Sequence, residues 1–383
     1  MKTEFTRLQV EGFRHLRNID LPLEPLNILI GANGVGKTSI LEVMSILASS
    51  ADGRLQEVIS SLGGLSSLIT LDYKEPLRVV LERPIEGHEP INYELHLSLA
   101  ALGYSLPFEC LSQFQQYKQD AFTFINSKGN YIRYFDVDKK RLMIPTWEHR
   151  PFETSLSQVP KMYREPEQFR QTLASSTLYH TLDVSPRSPV RIPQQMRPAS
   201  LPGKDGEDLV SCLYFMRETD EERFEAVEDT LKAAFPSFER LTFPPVAAGS
   251  ITMAWKERHF SQPIYAHQLS EGTLRFLWLV TLLQSPQLPT VTMIDEPEVS
   301  LHPEMLRLLA GLLREASNRT LLIVATHSDR FVRFLEPTEL VVCDLDEEGG
   351  TSVTRASELD LDMWMEEYSL DQLWSMGRLG GRA

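Results

Sequence analysis

GANGVGKT, residues 31–38, is the stretch of this sequence that decides the fold. It matches the phosphate-binding pattern G-x-x-x-x-G-K-[ST] at every fixed position. The apolar run 26–30 before it predicts a buried strand, and apolar residues at helical spacing follow it. Glycine-rich backbone can close its N–H groups around phosphates, Lys37 supplies a positive charge, and Thr38 offers a hydroxyl to Mg²⁺. The order strand, loop, helix therefore predicts a site for a nucleoside triphosphate.

Residues 290–294 are rich in β-branched side chains, which predicts another buried strand, and they lead directly into Asp295-Glu296. An Asp at the end of such a strand can hold Mg²⁺, and a neighbouring Glu can polarise the water that attacks the γ-phosphate. Two adjacent carboxylates more often lie in a solvated loop. Here the phosphate-binding loop, and Pro303 at the start of a predicted helix, favour a strand-to-helix connection at a ligand site. We predict Asp295 as a metal residue and Glu296 as the general base.

Two further element ends carry polar residues. The apolar run 321–325 ends in Thr326-His327-Ser328, so that His327 lies at a strand tip, where an imidazole can donate to the γ-phosphate or to the attacking water. A lone histidine is otherwise usually structural. Ser270, in LSEGT at 269–273, precedes an apolar helix whose first N–H groups can bind an anion. Taken alone, Ser270 predicts an ordinary helix cap, and it is the order of the surrounding motifs that favours an anion site.

The order of these motifs is that of ABC-type ATPase heads. The chain resembles the SMC/RecF-like branch, and in particular the stand-alone bacterial predicted ATPases with an AAA-type core that are related to the overcoming-lysogenization-defect (OLD) proteins. The resemblance rests on VEGFR at 10–14, GANGVGKTS at 31–39, LSEGT at 269–273, DEPEVSLHP at 295–303 and THS at 326–328. It implies an α/β fold, an ABC-ATPase head of the P-loop NTPase type with a mixed sheet and an inserted antiparallel-β and helical lobe.

The resemblance also implies roles for individual residues. Two heads would clamp two ATP molecules, so the chain would be a homodimer with ATP and Mg²⁺ as cofactors. Arg14 matches a position that approaches the nucleotide in relatives, with a surface salt bridge as the alternative. The family's Q-loop glutamine has no clear match, although Gln113, Gln115 and Gln116 are available. The predicted site residues are catalytic Glu296, His327 and Lys37; nucleotide-binding Asn33, Gly34, Val35, Gly36, Lys37, Thr38, Ser39 and Arg14; signature residues acting in trans Ser270, Glu271 and Gly272; and metal-binding Thr38 and Asp295.

The spacing of the motifs predicts an insertion, because over two hundred residues separate the phosphate-binding loop from LSEGT. Residues 77–106 and 131–144 alternate like antiparallel strands, whereas residues 209–217 and 221–235 have helical periodicity. We predict the two halves of the head at 1–110 and 246–335, an inserted lobe at 111–245, and an acidic C-terminal hairpin and helix at 336–383. Asp344 and Asp346 are assigned to the edge of that hairpin rather than to a nuclease metal site.

Charge and composition limit the choice of partners. The formal net charge is −15, and residues 336–371 account for −11 of it, which leaves only −4 for the remainder and room for a local basic groove. Residues 184–204 contain no acidic side chain, five prolines and the cations Arg187, Arg191, Arg197 and Lys204. This segment predicts either a phosphate-contacting loop or a solvated connector.

Cysteine usage and hydropathy predict a cytoplasmic protein without a membrane partner. Three widely spaced cysteines and the lack of a CxxC pair argue for a reducing compartment and against disulfide or zinc frameworks. No signal peptide or transmembrane span is visible in the sequence.

Three functional hypotheses follow. The first is an ATP-binding and ATP-hydrolysing switch in DNA or RNA metabolism, DNA repair or anti-phage defence, acting with a separately encoded effector such as a nuclease and with nucleic acid as a further partner. The second is the motor subunit of an ABC transporter, which LSEGT in place of the transporter pattern LSGGQ disfavours. The third is a scaffold that uses bound ATP to hold its shape and hydrolyses it very slowly.

Overall fold

The computed structural model describes residues 3–101, 103–114, 121–160 and 163–380. The strands are β1 Arg7–Phe13, β2 Leu16–Pro22, β3 Leu26–Ile30, β4 Leu77–Ile85, β5 His88–Ala100, β6 Gly103–Gln113, β7 Phe122–Lys128, β8 Tyr131–Asp136, β9 Arg141–Met143, β10 Thr177–Tyr179, β11 Gln194–Gln195, β12 Phe238–Thr242, β13 Ser250–Ile251, β14 Ala254–Glu257, β15 Ile264–Tyr265, β16 Val291–Asp295, β17 Leu321–Ala325, β18 Leu340–Leu345 and β19 Thr351–Arg355. The helices are α1 Lys37–Ala51, α2 Leu55–Ser61, α3 Arg164–Ala174, α4 Leu209–Thr219, α5 Glu221–Ala234, α6 Glu271–Gln284, α7 Pro303–Ala316, α8 Asp329–Val332, α9 Asp362–Met365 and α10 Leu370–Ser375.

A six-stranded sheet in the order β10-β16-β17-β3-β18-β19 forms the centre of the molecule. Neighbouring strands from β10 to β18 are parallel, and β19 returns antiparallel to β18. All five residues of β3 and of β17 are buried, which is typical of parallel strands covered on both faces. Because the first five strands run in one direction, their carboxyl ends lie along the same edge of the sheet.

Two layers cover this sheet. Along β3 the side chains alternate, with Ile28 and Ile30 in one apolar cluster and Leu29 in the other. The first cluster includes residues of α4, α5, α6 and α7, and the second includes residues of α1, α3 and the antiparallel strands. The parallel sheet is thus held between a helical layer and a mixed layer, as expected for an α/β domain.

The second large sheet is antiparallel throughout, in the order β2-β1-β4-β5-β6-β7-β8-β9. It confirms the antiparallel strands predicted at 77–106 and 131–144. The helices predicted at 209–217 and 221–235 are confirmed as α4 and α5. The predicted α/β fold with a mixed sheet and an antiparallel and helical lobe is therefore correct.

The acidic C-terminal region contributes to the central sheet. β18 and β19 form the predicted hairpin, and β18 also pairs in parallel with β3. The Oδ1 atom of Asp346 accepts hydrogen bonds from the N–H groups of Glu348 and Gly350 at 2.9 and 2.7 Å, so this carboxylate shapes the hairpin turn.

The segments of the chain interleave. β10 comes from within residues 111–245 yet lies in the central sheet, and β12 and β14 pair with each other across position 245. The domain boundaries drawn from the sequence therefore stay a prediction. Cys212 and Cys343 are buried, Cys110 is half-buried, and all three are free thiols. Within the described residues, no helix combines the length and the apolar character needed to cross a membrane.

Candidate active site

The phosphate-binding loop connects β3 to α1 at the carboxyl edge of the central sheet. Gly36 precedes the helix with φ 102°, and a Cβ atom there would lie 2.5 Å from Oγ1 of Thr351. The same Thr351 hydroxyl donates to the carbonyl of Val35 at 2.8 Å. Strand β19 therefore supports the loop from behind, and only glycine fits at position 36. The first N–H groups of α1 have no partner within the helix and can bind an anion.

Lys37 and Thr38 begin α1 and point toward the strand ends. The Lys37 ammonium donates to the carbonyl oxygens of Gly31 and Ala32 at 2.6 and 2.7 Å. Burial lowers the pKa of Lys37, although nearby acidic groups oppose that shift. The Thr38 hydroxyl donates to Oδ2 of Asp295 at 3.3 Å. The structure therefore brings the loop and the acidic pair into contact.

The acidic pair lies at the end of β16, beside the tip of β17. The N–H of Glu296 donates to the carbonyl of Ala325 at 2.9 Å, and Oε1 of Glu296 lies 3.0 Å from Nδ1 of His327. Burial first, and the charge of Glu296 next, raise the pKa of Asp295. Glu296 has φ 52°, a conformation that costs a non-glycine residue about 1–3 kcal/mol and that clusters at functional sites.

His180 is a residue that the sequence analysis missed. It follows β10, which pairs in parallel with β16, and its Nδ1 lies 4.0 Å from Oδ2 of Asp295. A three-residue strand inside a presumed insertion gives no recognisable periodicity, so no sequence signal marked it. Of the three glutamines considered, Gln113 ends β6 and donates to the carbonyl of Glu89 at 2.7 Å. Gln115 and Gln116 lie outside the described residues.

Arg14 lies in the tight turn between β1 and β2, with φ 48°. Its Nη1 forms an ion pair with Oε2 of Glu42 on α1 at 2.5 Å. Burial raises the pKa of Glu42, and the Arg14 charge opposes that shift. The salt bridge offered as the alternative for Arg14 is thus present, and its contact with a nucleotide stays a prediction.

Ser270 is the N-cap of α6, as predicted. Its Oγ accepts from the N–H of Thr273 at 3.2 Å. Behind it, a Cβ atom on Gly272 would lie 2.4 Å from the carbonyl oxygen of Ser300, and Nη1 of Arg275 donates to the Ser300 hydroxyl at 2.6 Å. The signature helix therefore packs directly on the loop that follows the acidic pair. Among the described residues, no hydrogen bond or ion pair joins Ser270 to Lys37.

The basic segment 184–204 is largely engaged within the protein. Arg191 donates to the carbonyl oxygens of Val184, His267 and Leu269 at 2.6, 3.1 and 2.9 Å. Arg197 forms a two-pronged contact with Asp208, both bonds at 2.7 Å. Arg191 thus holds the segment that leads into Ser270, which favours a structural role over phosphate contact for these two cations.

The oxygen donors near the loop fit magnesium rather than a metal bound by the protein alone. Within the described ranges, no three His, Cys, Asp or Glu side chains converge as a metal-binding group. Mg²⁺ commonly takes one or two protein oxygens and completes its shell with water and phosphate oxygens. Thr38 Oγ1 and Asp295 Oδ2, 3.3 Å apart, suit that arrangement.

A family model described as "AAA domain, putative AbiEii toxin, Type IV TA system", AAA_21, matches residues 26–333. The chain belongs to the AAA_21 family. The match runs from β3 past the tip of β17 and includes the phosphate-binding loop, LSEGT, Asp295-Glu296 and His327.

Two curated proteins are similar to parts of this AAA_21 protein. It is 54% identical to the OLD nuclease of Thermus scotoductus (strain ATCC 700910 / SA-01) over 41 residues, 11% of this chain and 8% of that protein. It is 30% identical to the DNA replication and repair protein RecF of Salmonella newport (strain SL254) over 148 residues, 34% of this chain and 37% of that protein. The chain thus spans well under half the length of these curated relatives.

A solved SMC head bound to the C-winged helix domain of ScpA has the same fold, with a TM-score of 0.57 at 13% identity over 94% of this chain and 99% of that chain. Together with the family match and the two relatives, this likeness confirms the resemblance drawn from the sequence. This AAA_21 protein has the fold of P-loop NTPases and is similar to ABC-type ATPases of the SMC/RecF/OLD-like branch.

Proposed function

We propose that this AAA_21 protein binds ATP with Mg²⁺, hydrolyses it, and uses the cycle as a switch between two associated heads. One observation carries the proposal: the tips of β3, β16 and β17 bring Lys37, Thr38, Asp295, Glu296 and His327 to one edge of the sheet. In open α/β sheets ligands bind at that edge. No single one of these groups suffices, and it is their convergence that supports the proposal.

Each of these side chains has a separate role in the proposed hydrolysis of ATP. Lys37 exchanges its carbonyl partners in the loop for the β- and γ-phosphate oxygens, which it neutralises. Thr38 and Asp295 would hold Mg²⁺, which would supply positive charge to offset the charge that develops on the phosphates. Glu296 takes a proton from the attacking water, and His327, 3.0 Å away, orients that carboxylate or donates to the γ-phosphate. His180, whose Nδ1 lies 4.0 Å from Oδ2 of Asp295, orients that carboxylate when it moves into hydrogen-bonding distance.

The switch requires a second copy of the chain. We propose that Ser270 and the first turn of α6 complete the phosphate site of a partner, because a capped helix N-terminus offers N–H donors and a favourable dipole to an anion. We further propose a role in DNA or RNA metabolism or anti-phage defence, with a separately encoded effector such as a nuclease.

Magnesium dependence tests the nucleotide site. The purified chain is expected to release phosphate from ATP with Mg²⁺ and to stop when EDTA is added. His180→Ala is expected to raise the Mg²⁺ concentration for half-maximal activity by about 10–100-fold, because groups that orient a metal ligand have effects of that size. His259→Ala, at a residue outside the site, serves as the control. An unchanged Mg²⁺ requirement in His180→Ala would exclude His180 from the metal site.

A face of the antiparallel sheet supports the nucleic-acid part of the proposal. Residues 121–150 hold six Lys or Arg and three Asp or Glu, in a chain of net charge −15. On β7 and β8, Lys128 lies opposite Tyr131 and Asn126 lies opposite Arg133. Tyr131 is 52% exposed, and the Arg133 guanidinium lies 5.1 Å from the centre of its ring. Cations beside an exposed aromatic ring suit a strand with unpaired bases, because the bases stack and the phosphates pair with the cations.

Charge reversal on this face gives the test. Lys128→Glu and Arg133→Glu are expected to weaken binding of a labelled single-stranded oligonucleotide in fluorescence anisotropy. Each substitution should reduce the magnitude of the slope of log K for binding against log salt concentration by about 1, because one phosphate contact is lost. Lys232→Glu on α5 is the matched control. Equal affinity and equal salt slope in all three variants would exclude this face, and a preference for duplex would argue against base stacking.

A further inference from the structure

Glu298 carries a buried carboxyl group beside the proposed catalytic pair, and the sequence analysis gave it no role. The residue is only 8% exposed. Its Oε1 accepts from the Thr326 hydroxyl at 2.5 Å and from the N–H of His327 at 3.4 Å. Its Oε2 is fully buried and has no hydrogen-bond partner among the described residues. One carboxyl group therefore links the loop after Asp295-Glu296 to the tip of β17.

Thr326 connects Glu298 to the turn that contains His327 through hydrogen bonds of its hydroxyl group. Thr326 is fully buried, and its N–H donates to the carbonyl of Leu29 at 3.0 Å, which fixes it to β3. Its hydroxyl donates to Glu298 and also accepts from the N–H of Ser328 at 3.1 Å. Glu298 accepts from the Thr326 hydroxyl and from the N–H of His327, and Thr326 accepts from the N–H of Ser328. These three bonds fix the backbone on both sides of His327 and so fix the position from which its imidazole extends.

The backbone of Glu298 is bonded to the other end of its own loop. The carbonyl of Glu298 accepts from the N–H of Leu301 at 3.0 Å, and Ser300, with φ 65°, meets Arg275 of the signature helix. A loop with left-handed residues at positions 296 and 300 keeps this shape only if its surroundings determine it. The side chains of Glu298 and Ser300 both supply such contacts from within the loop.

We infer that Glu298 is a positioning residue for hydrolysis. Its carboxyl holds the turn 326–328 so that Nδ1 of His327 stays 3.0 Å from Oε1 of Glu296. An apolar residue would fill this buried position without leaving an unpaired oxygen. The retained carboxyl is explained by its bonds to Thr326 and His327. The inference rests on the proposed ATPase function and names the residue that sets the geometry of its catalytic pair.

Steady-state kinetics of three variants test the inference. Glu298→Ala and Thr326→Val are expected to lower kcat by about 10–100-fold with KM for ATP little changed, because a displacement near 1 Å in a catalytic group has effects of that size. Glu298→Gln keeps an acceptor for the Thr326 hydroxyl and should retain most of the wild-type kcat. In a Glu296→Gln background, Glu298→Ala should cause no further loss, since residues that act as one unit are not additive.

A matched control variant and an NMR measurement distinguish a loss of positioning in Glu298→Ala from a general loss of stability. Glu109 is another buried carboxyl, which accepts from the Tyr93 hydroxyl at 3.0 Å and the N–H of Leu156 at 2.8 Å in the antiparallel sheet. Glu109→Ala should reduce thermal stability but leave kcat unchanged. NMR of ¹⁵N-labelled histidine, with His327 assigned through His327→Gln, should show the His327 signals shifted in Glu298→Ala and not in Glu109→Ala.

The outcomes are distinct. A wild-type chain without ATPase activity would refute the proposed function, whereas the His327 signals test the positioning role without any turnover. A folded Glu298→Ala chain with wild-type kcat and unshifted His327 signals would overturn the inference. Losses from Glu298→Ala and Glu296→Gln that add in full would also overturn it, since they would show that Glu298 acts independently of the pair.

Discussion

Glu296→Gln is expected to reduce kcat for ATP hydrolysis by about 10²–10⁴-fold while ATP binding is preserved. Glutamine keeps the size and the hydrogen-bonding reach of the side chain but cannot take a proton from water. The neighbouring Lys37, Thr38 and Asp295, which we propose to hold the phosphates and the metal, are unchanged. The rate is measured as phosphate release, and the affinity with a fluorescent ATP analogue.

The control for this substitution is Glu222→Gln, on the exposed face of α5. It makes the same chemical change at a position far from the site in sequence. The rate of phosphate release and the affinity for the ATP analogue should both keep their wild-type values. A Glu296→Gln chain that turns over at the wild-type rate would show that another group acts as the base. Loss of ATP affinity in that variant would instead show that Glu296 helps to bind the metal or the nucleotide.

A mixture of Ser270→Arg and Lys37→Ala chains is expected to regain activity that neither chain has alone. If Ser270 acts in trans, each mixed dimer contains one site with an intact loop and an intact signature and one site with neither. Random mixing then gives at most about one quarter of the wild-type specific activity, because half of the dimers are mixed and each keeps one of two sites in a two-fold dimer.

Heterodimer formation is checked by placing different affinity tags on the two chains and purifying through both. Ser270→Thr, which keeps the hydroxyl and the helix cap, is the conservative control and should remain active by itself. Confirmed heterodimers with no activity above either parent would contradict the composite site. Activity in Ser270→Arg alone would show that the signature residue is not needed for hydrolysis.

The parts of this molecule that are local in sequence could be predicted, and the parts that depend on distant contacts could not. The predicted strands at 26–30 and 321–325 match β3 and β17 residue for residue, because a short, largely apolar run is typical of a strand buried on both faces. The caps and helices around Ser270 and Pro303 were also predictable, since capping residues act within one turn.

Three features of the site depend on contacts between distant segments. His180 reaches Asp295 through the pairing of β10 with β16, and β10 is too short to be recognised. The parallel pairing of β18 with β3 puts the acidic tail region into the central sheet, and no local pattern specifies such a partner. Glu298 lies within a motif that was noted for its acidic pair, and its role depends on Thr326, which follows β17.

The most direct test of the account is ATP turnover measured across a range of protein concentrations, with and without DNA, alongside light scattering. If two heads close around two ATP molecules, specific activity should rise with concentration as mass action favours the dimer, and Ser270→Arg should abolish that rise. A specific activity that is independent of concentration, measured on a chain that light scattering shows to be monomeric with ATP bound, would contradict the dimeric switch.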